Sequence, residues 1–280
     1  RILIAVAHAD DETLGCFFVL NGPDVSILHA TDSTPLHPRY AAKAGYSSIA
    51  DYRAARRTEM LGAIEAGGVD PARWKALKIA DQEAPRNVAA IREAVLSYGA
   101  DRIYTHAYEG GHPDHDALAF ALRGLANVWE FPLYRASSSG EFETGGFLDG
   151  GGFRVGVEDV DGKRRMLACF GSQTRVIERF PLEWEWFRPM KSYDFERPPH
   201  DGALYYEIRG HGWDWKSWRE AVSMRKCDSC RDEDALPMIN AKEKAFSDGC
   251  AHRVESIVEY NKFVIGAESG ELLAMRMRQT

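Results

Sequence analysis

Ile2-Leu3-Ile4-Ala5-Val6-Ala7-His8-Ala9-Asp10-Asp11-Glu12 is the stretch on which the fold turns. A short run of apolar residues without alternation reads as a strand buried on both faces, as in a parallel sheet. The polar residues follow at once, where such a strand opens into a loop. His8 and Asp11, three positions apart, can turn toward one cation, which leaves Asp10 between them free to handle a proton. A second cluster, Gly110-Gly111-His112-Pro113-Asp114-His115-Asp116, follows a second apolar run, Arg102-Ile103-Tyr104-Thr105. Together the two suggest a site for a single metal ion.

Working outward, residues 13–20 read as a helix and 25–30 as a second strand, which makes a β-α-β start and a parallel pair. Residues 31–48 are irregular, with Pro35, Pro38 and Gly45. A helix over 49–66 is closed by Gly67-Gly68. A strand over 75–79, a helix over 88–98, a strand over 102–105, a helix over 114–125 and a strand over 128–135 continue the alternation. The pattern predicts a doubly wound α/β domain, with a mostly parallel sheet and helices on both faces. Loops at the carboxyl ends of such strands form the binding crevice, and both clusters belong on that rim.

The expected organisation is one domain over 1–280, with a core in 1–135 and a less regular C-terminal elaboration in 136–280. In the elaboration, 153–158 and 164–168 read as a hairpin around Asp161-Gly162. Residues 173–178 read as helical, 187–202 as an extended loop and 203–208 as a strand.

The net charge of -7 and the lack of a dominant basic patch argue against nucleic-acid binding. Arg53, Arg56 and Arg57, at helical spacing, read as a solvated helix face. No apolar run is long enough to span a bilayer. Five cysteines do not suit a fully paired disulfide framework and fit a reducing compartment, so the expected location is the cytoplasm. The chain opens at Arg1 inside the first expected strand, so removal of a leader is compatible with it.

Zinc in hydrolases commonly takes three ligands from His and Asp or Glu and leaves a fourth position open. His8, Asp11 and His115 supply that set, while Asp10 and His112 remain uncommitted beside it. This division of labour suits hydrolysis of an amide, with Asp10 as general base. His112 either stabilises the developing oxyanion or protonates the departing amine, with Asp114 orienting its imidazole. The bland alternative is helix capping, by Asp10-Asp11-Glu12 in one cluster and by a helix start around Pro113 in the other.

Ala7-His8-Ala9-Asp10-Asp11-Glu12 resembles the His-Pro-Asp-Asp-Glu signature of the PIG-L/LmbE family of zinc-dependent N-acetylglucosaminide deacetylases, and Gly111-His112-Pro113-Asp114-His115 resembles its second signature. The resemblance covers residues 1–135. It implies a Rossmann-like fold and hydrolysis of an N-acyl group, commonly acetyl, from a small-molecule amino sugar or glycoconjugate. It makes His8, Asp11 and His115 ligands of Zn2+; Fe2+ or another divalent metal can replace zinc in such His/Asp surroundings. It makes Asp10 the base and His112 the stabilising histidine.

By the same resemblance Arg56 and Asp81 are substrate contacts, and Arg135 is a further candidate whose alternative is a surface ion pair. The sequence departs from the family at Ala9, where Pro is usual, and at Asp32-Ser33, where Asp-Gly is frequent. Gly110 stands where some relatives offer a Tyr, leaving Tyr108 as the nearest substitute.

Other readings remain open at this stage. A related amidase would cleave a larger amide, such as a thiol conjugate of a sugar. A different class would be a non-catalytic α/β module binding a sugar or nucleotide, against which stands the absence of Gly-x-Gly-x-x-Gly after the first strand. Cys227, Cys230, Cys250 and His252 can be arranged on paper as a structural zinc site. Trp213, Trp215 and Trp218 suit either a sugar-stacking platform or buried packing, and packing is favoured.

Overall fold

The computed structural model describes residues 1–223, apart from 21 and 23. In chain order the core elements are β1 (Ile2–Val6), α1 (Asp11–Gly15), α2 (Phe17–Leu20), β2 (Val25–His29), α3 (Pro38–Lys43), α4 (Ile49–Ala66), β3 (Trp74–Ala76), α5 (Val88–Ser97), β4 (Arg102–His106), α6 (Pro113–Leu122) and β5 (Val128–Phe131). There follow β6 (Tyr134–Ala136), β7 (Phe142–Thr144), β8 (Phe153–Gly156), α7 (Val160–Leu167), α8 (Thr174–Ile177), β9 (Trp184–Pro189), α9 (Tyr205–Ile208) and α10 (Trp215–Ser223).

Seven strands form one sheet in the order β3-β2-β1-β4-β5-β9-β8. The first five are parallel, with Ile4 opposite Ile27 on one side and Tyr104 on the other, and β9 and β8 add an antiparallel edge. Successive residues of β1 enter different cores. Ile4 and Val6 pack with Ile27, Met60, Ile64 and Phe131, whereas Leu3 and Ala5 pack with Leu28, Val95, Ile103 and Leu122. That two-sided burial is why the strand reads as continuously apolar.

The mostly parallel α/β architecture is as expected, and the expected helix over 49–66 matches α4 at both ends. Several local expectations are corrected. The helix over 13–20 breaks at Cys16, whose φ of -140° and ψ of 20° leave the helical region. The restart at α2 is capped from a distance, since the Glu185 carboxylate accepts from Phe17 N at 2.8 Å and Phe18 N at 2.9 Å. The strand over 128–135 divides at Pro132, which has no N–H to give to a ladder.

The hairpin around Asp161-Gly162 is absent. Asp159 instead accepts from Gly162 N at 2.7 Å and starts α7, and β8 pairs with β9. The expected strand over 203–208 contains the short helix α9, and the first residues of the expected loop over 187–202 belong to β9. A buried ion pair, Lys163 Nζ to Glu185 Oε1 at 2.7 Å, ties α7 to β9, and Lys163 also donates to Leu14 O at 2.8 Å. Cys16 and Cys169 are free thiols. Cys227, Cys230, Cys250 and His252 lie outside the described residues.

Candidate metal centre

The first cluster occupies the turn between β1 and α1. Asp10 there has φ 110° and ψ -29°, a conformation that L residues rarely adopt. Its side chain makes no capping hydrogen bond, so the capping alternative fails at this position. Glu12 supports the turn, accepting from Asp10 N at 3.2 Å and Thr13 Oγ1 at 2.7 Å. Trp74 Nε1 lies 3.0 Å from His29 Nδ1, and an indole can only donate. His29 therefore carries its proton on Nε2, which donates to Glu12 Oε2 at 3.0 Å.

The two family departures answer each other. Ser33 has φ 57°, a conformation that favours glycine, and its hydroxyl accepts from Ala9 N at 2.8 Å. A proline at position 9 would lack that N–H, and a glycine at 33 would lack the acceptor.

Asp11 Oδ2 is the focus of the site. It accepts from His8 N at 2.8 Å and stands 3.3 Å from each of His8 Nδ1, His106 Nε2 and His115 Nε2. His115 Nε2 is buried with no hydrogen-bond partner. The groups His8/His112/His115, Asp11/His106/His115 and His8/Asp81/His112/Asp114 each bring one ligand atom per residue within 4.8 Å of one another. Tetrahedral Zn with bonds of about 2.0–2.1 Å places its ligand atoms about 3.3–3.4 Å apart. The separations of Asp11 Oδ2 from His8 Nδ1 and His115 Nε2 fit that edge, and the buried His115 nitrogen has a lone pair or proton without a hydrogen-bond partner, but the trio His8/Asp11/His115 is not itself one of those groups.

His106 belongs to this cluster and was not singled out from the sequence. It ends β4, where a rim residue could have been sought, and its ring stacks on His115 at 3.9 Å and 6°. Ala7 N donates to its Nε2 at 2.9 Å, so that lone pair is already engaged.

Asp114 is also corrected. Its Oδ2 lies 3.0 Å from His8 Nε2 and accepts from Gln82 N at 2.7 Å, and Oδ1 accepts from Ala84 N at 3.0 Å. Its carboxylate Oδ2 stands 3.8 Å from His112 Nδ1, beyond hydrogen-bond reach, so the carboxylate orients His8 rather than His112. His112 caps α6, its Nδ1 accepting from Asp114 N at 3.2 Å, which puts the proton of the neutral ring on Nε2. That Nε2 lies 3.5 Å from Asp81 Oδ1, and His8 Nε2 lies 3.4 Å from the same atom.

Arg56 is buried, contrary to the solvated-face reading, and donates to Ala9 O at 2.5 Å and Asp10 Oδ2 at 3.1 Å. Arg135 is buried too, engaged by Glu109, Glu143 and Gly146 O. Tyr108 is occupied, its hydroxyl donating to Arg197 O and accepting from Trp215 Nε1. Gly111 allows the chain to pass Tyr134, whose carbonyl oxygen would stand 1.9 Å from an added Cβ.

The tryptophans pack, with Trp213 and Trp218 buried. Trp213 Nε1 donates to Gln82 O at 2.8 Å and Trp218 Nε1 to Pro113 O at 3.0 Å.

Burial sets the protonation states. It pushes Asp10 up to about 7, against Arg56 and with help from Asp11 and Glu12. It pushes His115 down to about 4 and His112 well below the usual range, so both rings are neutral. For His8 burial is outweighed by Asp81, Asp11 and Asp114, which hold the imidazole well above its ordinary value. A cation can take the place of that proton.

Residues 3–126 match the family model described as PIG-L: GlcNAc-PI de-N-acetylase. The chain carries a PIG-L domain. That domain is one of hydrolytic N-deacetylases, and it holds both clusters, Asp81 and His106, while Arg135 lies beyond it. A comparison with curated proteins returns no match.

Solved structures similar to the chain include a teicoplanin deacetylase, at 19% identity over 63% of this chain and 86% of that one, with a TM-score of 0.49. An antimicrobial pseudoaglycone deacetylase matches at 19% identity over 69% and 99%, with a TM-score of 0.50. The N,N'-diacetylchitobiose deacetylase of Pyrococcus horikoshii matches at 15% identity over 67% and 82%, with a TM-score of 0.44. Among the described residues no helix is long and apolar enough to cross a membrane.

Proposed function

We propose that this chain is a zinc-dependent hydrolase that removes an N-acyl group, acetyl above all, from an amino sugar or glycosylated small molecule. The observation that carries the reading is Asp11 Oδ2 at 3.3 Å from His8 Nδ1 and from an otherwise unpartnered His115 Nε2, beside an Asp10 carboxylate outside that set. The PIG-L match supports it.

His8, Asp11 and His115 would hold the cation, whose chemistry is to polarise the acyl carbonyl and acidify water. Asp114 fixes the His8 ring by taking its Nε2 proton in a hydrogen bond, which leaves Nδ1 for the cation. Asp10, held by Arg56, accepts a proton from the attacking water as its oxygen bonds to the acyl carbon. His112 donates Nε2–H to the oxyanion of the tetrahedral adduct. When the C–N bond breaks, the proton held by Asp10 passes to the departing amine, giving a carboxylate and an amine. The buried neutral His112 suits the donor role better than that of an acid at neutral pH.

The test is metal quantification and a panel of N-acylated amino sugars on the same sample. One equivalent of zinc with acetate release supports the reading. Release of a larger acid alone assigns the larger-amide reading, and a chain that neither retains divalent metal nor gains activity from it is a binding module.

A further inference from the structure

Outside the PIG-L match, a turn brings a further histidine ring against that of His112. His211 sits between Gly210 at φ 64° and Gly212 at φ 81°, so the chain reverses on both sides of it. The turn is pinned to the rim, with Arg39 donating to Gly210 O at 2.6 Å and Trp213 Nε1 donating to Gln82 O at 2.8 Å. His211 N donates to Tyr206 O at 3.1 Å. The His211 ring stands 5.0 Å from that of His112, centroid to centroid.

His211 Nδ1 is buried with no hydrogen-bond partner among the described residues, and Asp81 Oδ1, also buried, meets no donor closer than His8 Nε2 at 3.4 Å and His112 Nε2 at 3.5 Å. Leaving a buried polar atom unsatisfied is costly, so these two atoms beside a candidate catalytic centre point to a ligand that completes His211 Nδ1 and gives Asp81 a closer donor.

Resting on the deacylase reading above, we propose that His211 is a specificity-determining residue that contacts the substrate. Its Nδ1 takes a hydroxyl of a polyhydroxylated acyl-amine, next to a hydroxyl that donates to Asp81. The chemistry narrows the class. Burial pushes His211 down to about 4, with Asp81 opposing and His8, Arg39 and Arg209 reinforcing, so the ring is neutral. A neutral imidazole beside a carboxylate does not draw in a phosphate or a carboxylate, and an alkyl chain would leave His211 Nδ1 unpaired. A hydroxyl both donates and accepts, and so serves either partner.

The test uses the full chain with N-acetylglucosamine and with N-acetylcyclohexylamine, a ring of like size without hydroxyls, in calorimetric binding and in turnover. His211→Ala is expected to weaken Kd and KM for the sugar about tenfold or more. Its kcat should stay within about threefold, with metal content and affinity for the cyclohexyl amide unchanged. His211→Asn, which keeps a donor and an acceptor, should recover part of the loss.

Equal weakening toward both ligands, loss of metal, or unchanged sugar affinity in His211→Ala overturns the proposal. Sugar turnover with unchanged His211→Ala affinity removes this inference and leaves the deacylase reading standing. Sugar binding weakened selectively by His211→Ala, with no acid released by the wild-type chain, does the reverse. Failure of the wild-type chain to bind the sugar overturns both.

Discussion

Replacing Asp114 with Asn separates two accounts of what this carboxylate does. Its two oxygens take three hydrogen bonds, two at Oδ2 from Gln82 N and His8 Nε2 and one at Oδ1 from Ala84 N. An amide can accept on one arm only. With its oxygen in the Oδ2 position it keeps the first two and turns an NH2 toward Ala84 N, leaving that donor unsatisfied at about 1–3 kcal/mol. His8 also loses the charged partner that fixes its ring. Such losses cost about 10–100-fold in metal affinity, or about 1.4–2.8 kcal/mol. Zinc affinity measured by competition with a chromogenic chelator, alongside a thermal unfolding curve, reads both effects. Affinity within about twofold of wild type, together with a large fall in kcat, would refute the reasoning and return Asp114 to His112.

Asp10→Asn should keep zinc and lose about 10²–10⁴-fold in kcat, checked by steady-state kinetics on the metal-loaded protein. His115→Ala should instead lose zinc, read by the same chelator competition. Arg56→Met removes the cation that opposes the upward push on Asp10. Because the base works ionised, the acid limb of kcat/KM should move to higher pH, and an unmoved limb removes Asp10 from the base role.

Ser33→Gly relieves a positive φ but leaves Ala9 N without its acceptor, a net cost expected at about 1 kcal/mol in denaturant unfolding. The Ala9→Pro/Ser33→Gly pair should cost less than the sum of its single changes. Lys163→Met strands a buried Glu185 carboxylate still held by two backbone N–H groups, so the loss should lie near the low end of about 3–5 kcal/mol for broken buried pairs. Adding Glu185→Gln should recover part of it.

Elements with a single strong signal were legible from sequence. The apolar runs of β1 and β4 and the glycine-closed α4 could be placed because burial on both faces and a C-terminal turn leave local marks. The hairpin expected around Asp161-Gly162 failed because Asp-Gly suits a turn and a helix start alike, and here the Asp159 carboxylate decided for the helix. At the site, the spacing of His8 and Asp11 and the second cluster carried the chemistry forward. His106 and His211 were not legible, since each enters through tertiary placement and neither belongs to a motif. The partner of Asp114 was misread for a related reason. Only Pro113 separates it from His112 in the chain, but the fold brings its carboxylate closer to His8.

The indoles of Trp213 and Trp218 fasten the loops that carry Gln82 and Pro113, next to Asp81 and His112. A chain cut at residue 200 would therefore keep every residue of the family match yet release both loops from their anchors. The same arrangement makes native tryptophan emission an optical gauge of whether the two loops are seated, readable without a label or a substrate.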